Sequence, residues 1–154
     1  MISAKVRRVL EAYGLEALEF EPGSTPTAEL AARRIGVETA RIAKSLLFKD
    51  KSGGFHMVVC PGDKRLSSST LKRVIGSRAS MADADETERV TGYRPGGVCP
   101  FALEGVTILL DRELELYPTI YPAAGTDATG VPMTFAHLVE ITGGRIVDLS
   151  TGQE

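Results

Sequence analysis

The chain of 154 residues has no tryptophan, two cysteines and two histidines. Cys60 and Cys99 stand far apart and outside any CxxC spacing, which argues against a disulfide framework and against a cysteine-based zinc site. With His56 and His137 as the imidazoles, a metal would have to rest on carboxylates, and no metal is expected. No apolar run approaches the ~18 residues that cross a bilayer. Lys5, Arg7 and Arg8 lie inside an amphipathic pattern, not ahead of a cleavable apolar stretch, so a cytoplasmic location is the expectation. Neither GxGxxG nor GxxxxGK occurs, which leaves a nucleotide-phosphate cradle without support.

What is present suits one domain over residues 1–154. Its 43% hydrophobic content is enough for a real core, and a chain of this length buries roughly two thirds of its unfolded surface. The formal charge of -2 does not decide nucleic-acid affinity, which depends on local phosphate contacts. Charge is segregated along the chain: Lys64, Arg65, Lys72, Arg73 and Arg78 fall in a run free of acidic residues, and Asp83, Asp85, Glu86 and Glu88 follow. Two solvated helix faces of opposite sign are the simple reading, and a strip that contacts RNA is the alternative.

Local signals give the organisation. Val6, Val9, Leu10 and Tyr13 recur at helical spacing between a Ser3 cap and Gly14. Leu18 and Phe20 suggest a short strand, and Thr25-Pro26 reads as the start of a helix that stops at Gly36. Residues 41–49 and 54–60 are apolar runs joined by the turn-rich 50–53, a hairpin pattern. A helix capped by Ser67 to Ser69 and running to Gly76 is expected next, then one over Asp83 to Thr91 with acidic residues in its first turn. Strands are expected at Val106–Leu110, Thr119–Tyr121, Val131–Met133 and Arg145–Leu149, with a helix over Thr134–Ile141. Strand and helix do not alternate regularly, which points to a mixed, partly antiparallel α/β or α+β fold and away from a doubly wound sheet.

Within the first hairpin strand Lys44 shares a face with the apolar Ile42, Leu46 and Phe48. An unpaired ammonium there is costly to bury, so Lys44 marks either a pocket or a sheet edge. The stretch Thr91 to Phe101 is dense in glycine and proline yet holds Tyr93, Val98 and Phe101. Its paired Gly96 and Gly97 free the backbone to approach a ligand and aim N–H groups at a developing oxyanion. A structural crossover is the other reading. Tyr121 to Asp127, rich in small residues, is placed to line the same pocket from the far side. Cys99 is better read as a small buried hydrophobe than as a nucleophile, and His56 and His137 as structural.

Four blocks, in order, carry a resemblance: Ile42-Ala43-Lys44-Ser45-Leu46, Pro61-Gly62-Asp63, Thr91-Gly92-Tyr93 with Gly96 to Phe101, and Leu110-Asp111 followed by Ala124-Gly125. Over about residues 15 to 150 the chain resembles the YbaK/ProX (EbsC-like) family of aminoacyl-tRNA editing domains. The resemblance implies a distorted, partly open mixed β-barrel flanked by helices, without metal or organic cofactor. It implies hydrolysis of the ester joining a small mischarged amino acid to the terminal adenosine of tRNA, of the Cys-tRNA(Pro) or Ala-tRNA(Pro) type. The partners it implies are aminoacyl-tRNA and an aminoacyl-tRNA synthetase. Lys44 would contact the substrate end, and the loop Gly96 to Pro100 would pack on the ribose and carbonyl with the Gly96 and Gly97 amides as oxyanion donors. Ser45, Val98, Cys99, Pro100, Gly125 and Asp127 would complete the substrate site. Activation would come from the substrate itself, through a ribose hydroxyl or the amino-acid side chain. Where many relatives have a glycine after the Pro-Phe pair, this chain has Ala102. A non-catalytic module that binds an aminoacyl or nucleotide group, or docks on a synthetase, is the competing reading.

Overall fold

A computed structural model of the protein describes residues 2–150. Its centre is an open five-stranded sheet in the order β4-β2-β3-β5-β7. The strands are β2 (Ala43–Asp50), β3 (Phe55–Pro61), β4 (Ala79–Met81), β5 (Val106–Asp111) and β7 (Arg145–Val147). β2 pairs antiparallel with β3 and with β4, whereas β3, β5 and β7 run parallel. The sheet is therefore mixed, as the irregular alternation of elements indicated, and it does not close on itself. A separate two-stranded ladder joins β1 (Leu18–Glu19) to β6 (Thr129–Gly130).

Each α-helix starts on a side-chain cap that accepts a backbone N–H left free by the first turn. Ser3 caps α1 (Ala4–Ala12), Ser67 caps α3 (Ser68–Ile75), Asp83 caps α4 (Ala84–Thr91) and Thr134 caps α5 (Phe135–Thr142). In α2 (Ala28–Ile35) the cap is Thr27, whose hydroxyl accepts from Leu30 N–H at 3.2 Å. This corrects the expected start at Thr25-Pro26. Thr25 is buried, and its hydroxyl accepts from Thr129 N–H at 3.2 Å while its own N–H donates to the Asp127 carbonyl at 2.7 Å.

The two faces of the sheet have separate cores. Ala43, Leu47, Met57, Val59 and Leu110 pack with Val6 and Leu10 of α1, Leu138 of α5 and Phe101. On the opposite face Phe48, Val58, Cys60 and Leu109 pack with Leu71 and Val74 of α3. Each fully buried aliphatic side chain contributes about 1.5–3 kcal/mol, so α1 and α3 hold by a few residues each. The ladders expected at Thr119–Tyr121 and Val131–Met133 reduce to single bridges, Ile42 to Tyr121 and Ile120 to Met133. Pro118, Pro122 and Pro132 lack the N–H groups that a continuous ladder requires.

Candidate active site

β2 is bonded along one edge to β3 and, at its far end, to β4. Toward its start the outer edge is open. Ala43 N–H donates to the Tyr121 carbonyl at 3.1 Å, and the Leu47 carbonyl accepts from Ala82 N–H at 2.9 Å. Backbone groups alternate sides along a strand, so the Ser45 N–H and carbonyl lie on this same outer edge, between those two attachments. They face a cavity of about 300 Å³ lined by Ala43 to Leu47, by the cap Thr27 and by Ala28, Ala31 and Ile35 of α2, by Gly96 and Val98, and by Tyr121 and Ala123. Met81, 59% exposed, also lines it. The lining is largely apolar, with Lys44 as its sole charged side chain. Ser45 Oγ is buried with no hydrogen-bond partner among the described residues.

Lys44 is held from below. Its Nζ donates to the Lys64 carbonyl at 2.7 Å. Lys64 in turn carries its ammonium 2.7 Å from Asp111 Oδ2 and 2.7 Å from Glu113 Oε1. Burial alone would lower the Lys64 pKa, but the hydrogen bonds to the two carboxylates outweigh it and raise the value. Asp111 is buried at the end of β5, and its Oδ1 accepts from Glu113 N–H at 3.0 Å. Cys60 stands directly across from Lys44 in the ladder. Burial pushes its thiol up to about 12, which keeps it neutral and unreactive at ordinary pH.

The glycine-proline loop forms the facing wall. Tyr93 Oη donates to the Phe101 carbonyl, and Gly97 N–H donates to the Arg94 carbonyl at 3.0 Å. The Gly97 amide expected at the oxyanion is therefore already bonded. A Cβ on Gly97 would lie 2.7 Å from the Thr126 backbone, so the close approach that this glycine permits is to the chain's own 123–127 segment. Cys99 is wholly buried and Pro100 is buried behind the wall. Burial pushes the Cys99 thiol up to about 11, which disfavours a nucleophilic thiolate. Gly125 abuts the Tyr93 ring, and Asp127 Oδ1 accepts from Gly23 N–H at 3.1 Å.

Of the residues singled out from the sequence, Lys44, Ser45, Gly96 and Val98 line the cavity together. Gly97, Cys99, Pro100, Gly125 and Asp127 are not among its lining residues and form the frame around it. Sequence reasoning missed α2, whose Ala28, Ala31 and Ile35 make one wall, and Met81 at β4. The apolar residues of α2 at i, i+3 and i+7, Ala28, Ala31 and Ile35, were a signal for an apolar face. Nothing local marks Met81, since β4 exists only by pairing with the far end of β2. His56 Nε2 lies 2.8 Å from Asp50 Oδ2 at the hairpin turn, outside the cavity. Among the described residues no three His, Cys, Asp or Glu side chains converge as metal ligands would, and no helix is long and apolar enough to cross a membrane.

An open mixed sheet with a lysine-bearing strand whose outer edge is open toward its start, and a facing glycine-proline loop, defines a class of small α/β domain. Comparison with known proteins gives the family: residues 22–141 match the aminoacyl-tRNA editing domain, and the chain belongs to that family. YwhH of Bacillus subtilis (strain 168) is 33% identical over 132 residues, covering 85% of this chain and 83% of YwhH. EbsC of Enterococcus faecalis (strain ATCC 700802 / V583), provisionally named a Cys-tRNA(Pro)/Cys-tRNA(Cys) deacylase, is 26% identical over 127 residues, 81% of this chain and 77% of EbsC. A crystal structure provisionally described as a trans-editing enzyme for prolyl tRNA synthetase superposes with a TM-score of 0.86 at 33% identity, covering 99% of this chain and 100% of that one.

Proposed function

We propose that this protein is a free-standing deacylase that hydrolyses the ester of a small amino acid mischarged on tRNA, of the Cys-tRNA(Pro) or Ala-tRNA(Pro) type. The observation that carries the reading is the apolar cavity of about 300 Å³ at the open edge of β2, with Lys44 as its one charged side chain, in a chain of the editing family. A space of that size, shared between a ribose and an acyl group, leaves room for a small uncharged side chain. With no carboxylate in the lining, the incoming α-amino group finds acceptors in the Ser45 carbonyl and hydroxyl. Lys44, fixed by the Lys64 carbonyl, presents its remaining N–H groups to the ester oxygens or the terminal phosphate. The Ser45 N–H at the strand edge, with the backbone at Gly96, supplies donors where charge develops on the carbonyl oxygen.

The reaction is the addition of water to the ester carbonyl, cleavage of the bond to the ribose oxygen, transfer of a proton to that oxygen, and departure of the free amino acid. The thiols of Cys60 and Cys99, both held neutral by burial, take no part, and the substrate's ribose hydroxyl or side chain directs the water. Cytoplasmic action, where tRNA is charged, and association with a prolyl-tRNA synthetase belong to the same reading.

The test is incubation with tRNAs for proline and alanine charged with alanine, cysteine, serine and larger amino acids, scoring the fraction still charged. Loss of a small amino acid from tRNA for proline, with larger ones spared, is the expected outcome. Binding without hydrolysis of any ester overturns the reading in favour of a non-catalytic module. In the same assay Lys44→Ala should lower turnover tenfold to a hundredfold, the effect of about 1.5–3 kcal/mol from one charge-assisted contact. Its unfolding midpoint should stay near that of the wild type.

A further inference from the structure

The basic run from Lys64 to Arg78 is divided by the fold. Lys64 turns inward onto Asp111 and Glu113, and Arg73 donates to the carbonyls of Asp148 and Ser150. Lys72 of α3 and Arg78 before β4 instead converge with Lys49 and Lys51 of the β2–β3 hairpin on a second cavity, of about 550 Å³. Lys49 shares its charge with Glu86 at 2.9 Å. Lys51, Lys72 and Arg78 are exposed and, among the described residues, no carboxylate lies within ion-pair reach of them.

One carboxylate, Asp50, lies on the wall, but its oxygens are taken up within the hairpin by Ser52, Gly54 and His56. The rest of the lining is Ser68, Ser69 and Ser80, with Ala79 as the sole apolar residue. Ammonium, guanidinium and hydroxyl donors around a groove with no aromatic or large aliphatic side chain suit phosphate oxygens. They do not suit a protein surface, whose binding core requires apolar or aromatic anchors.

The groove follows the active-site cavity along the same two strands. β2 gives Ala43 to Leu47 to the first cavity and Lys49 and Asp50 to the second, and β4 gives Met81 to the first and Ala79 and Ser80 to the second. From Ser45 to Lys49–Asp50, where β2 ends, the strand spans about 13–17 Å at ~3.3 Å per residue, or roughly four to five stacked nucleotides at ~3.4 Å each. We infer that this groove binds backbone phosphates of the RNA acceptor strand a few nucleotides before the terminal adenosine, with Lys51, Lys72 and Arg78 as the principal contacts. The inference rests on the deacylase reading for the identity of the RNA, not for the site itself.

The experiment compares wild type with the triple variant Lys51→Ala, Lys72→Ala, Arg78→Ala on two substrates, a mischarged tRNA and a 3′-aminoacyl-adenosine too short to reach the groove. Direct tRNA binding is measured alongside, across a salt series. The variant should lose about a hundredfold in kcat/KM and in affinity for the tRNA at low salt. Its log–log salt slope should flatten by roughly 2 to 3, for about three lost phosphate contacts. Hydrolysis of the short ester should be unchanged, and Arg8→Ala, an exposed cation on α1, should change neither. An unaltered salt slope, an equal loss on both substrates, or an equal effect of Arg8→Ala overturns the inference. So does loss of synthetase association with tRNA binding intact, which would make the groove a protein-docking surface. If wild type hydrolyses neither ester, the deacylase reading fails while the binding series still decides the groove.

Discussion

The charged residues that hold Lys44 and the glycine-proline loop opposite it shape the same cavity by different means, the first through one lining side chain and the second as a wall. Beneath Lys44, charge is arranged in a chain: Asp111 and Glu113 hold Lys64, and the Lys64 carbonyl holds Lys44. In the loop, shape is set by backbone contact, with Gly97 against Thr126 and Tyr93 tied to Phe101. The charged side fixes one cation at a defined height along β2, and the loop side fixes how wide the cavity is. Damage to the first should release a side chain. Damage to the second should move a wall.

The largest effect is expected on the charged side. Asp111→Ala leaves the largely buried Lys64 ammonium with Glu113 alone, and removing one partner of a buried pair costs about 3–5 kcal/mol. The lower end applies because Glu113 remains, 39% exposed at its side chain. Urea unfolding should record that loss. Asp111→Asn should recover part of it, because Oδ1 can still accept from Glu113 N–H. A loss below about 1 kcal/mol for the alanine variant would mean that the ion pair is as weak as a surface one, and the contrast between the two walls would fail.

Next comes the loop. Gly97→Ala places a methyl 2.7 Å from backbone atoms of Thr126, and backbone cannot step aside as a flexible side chain can. Overpacking of this kind costs about 1–3 kcal/mol, and here it should also shift the 123–127 segment and slow deacylation. The informative readout is the pairing of the two. If stability falls while activity per folded molecule is unchanged, the loop supports the fold without shaping the cavity.

A smaller change, of opposite sign, sharpens the same side. Ala102 adopts φ 57°, the left-handed region, and is the one non-glycine residue to do so among those described. Relief of that conformation, less the extra freedom glycine gives the unfolded chain, should make Ala102→Gly more stable by about 0.5–1 kcal/mol. A thermal midpoint at or below wild type would show that the loop carries no strain there.

The smallest effect lies away from both walls and serves as their control. The hydrogen bond from His56, then those from Gly54 and Ser52, hold the Asp50 carboxyl well below its usual range. A depressed carboxylate pKa contributes stability that is complete above the unfolded value, about 3.9, and is lost as pH falls toward the folded value. The unfolding midpoint of Asp50→Asn should therefore lie below wild type at neutral pH and approach it below about pH 4. A gap that persists unchanged into acid would assign the difference to hairpin geometry instead of charge.

Much of this protein is local. Ser3 and Ser67 were legible as helix caps because an N-cap acts within three residues of itself, whereas Asp83 and Thr134, read from the sequence as the first residues of their helices, prove to be the caps. The β2–β3 hairpin was legible because its turn, Asp50 to Gly53, joins two apolar runs directly. Lys44 and the Gly96 loop stood out as local anomalies, a cation on an apolar face and apolar residues inside a glycine-proline stretch. What the sequence could not decide were distances between parts of the chain remote from one another. Thr25 resembles an N-cap until Thr129 is brought against it, and Lys64 reads as part of a solvated basic strip until β5 places Asp111 beside it. Gly97 was marked as a point of close approach, but that it approaches Thr126 is a fact of packing. The open edge at Ser45 exists because β4 pairs with the far end of β2 and stops. Side-chain identity sets what each residue can bond. Only the tertiary structure decides which partners reach it first.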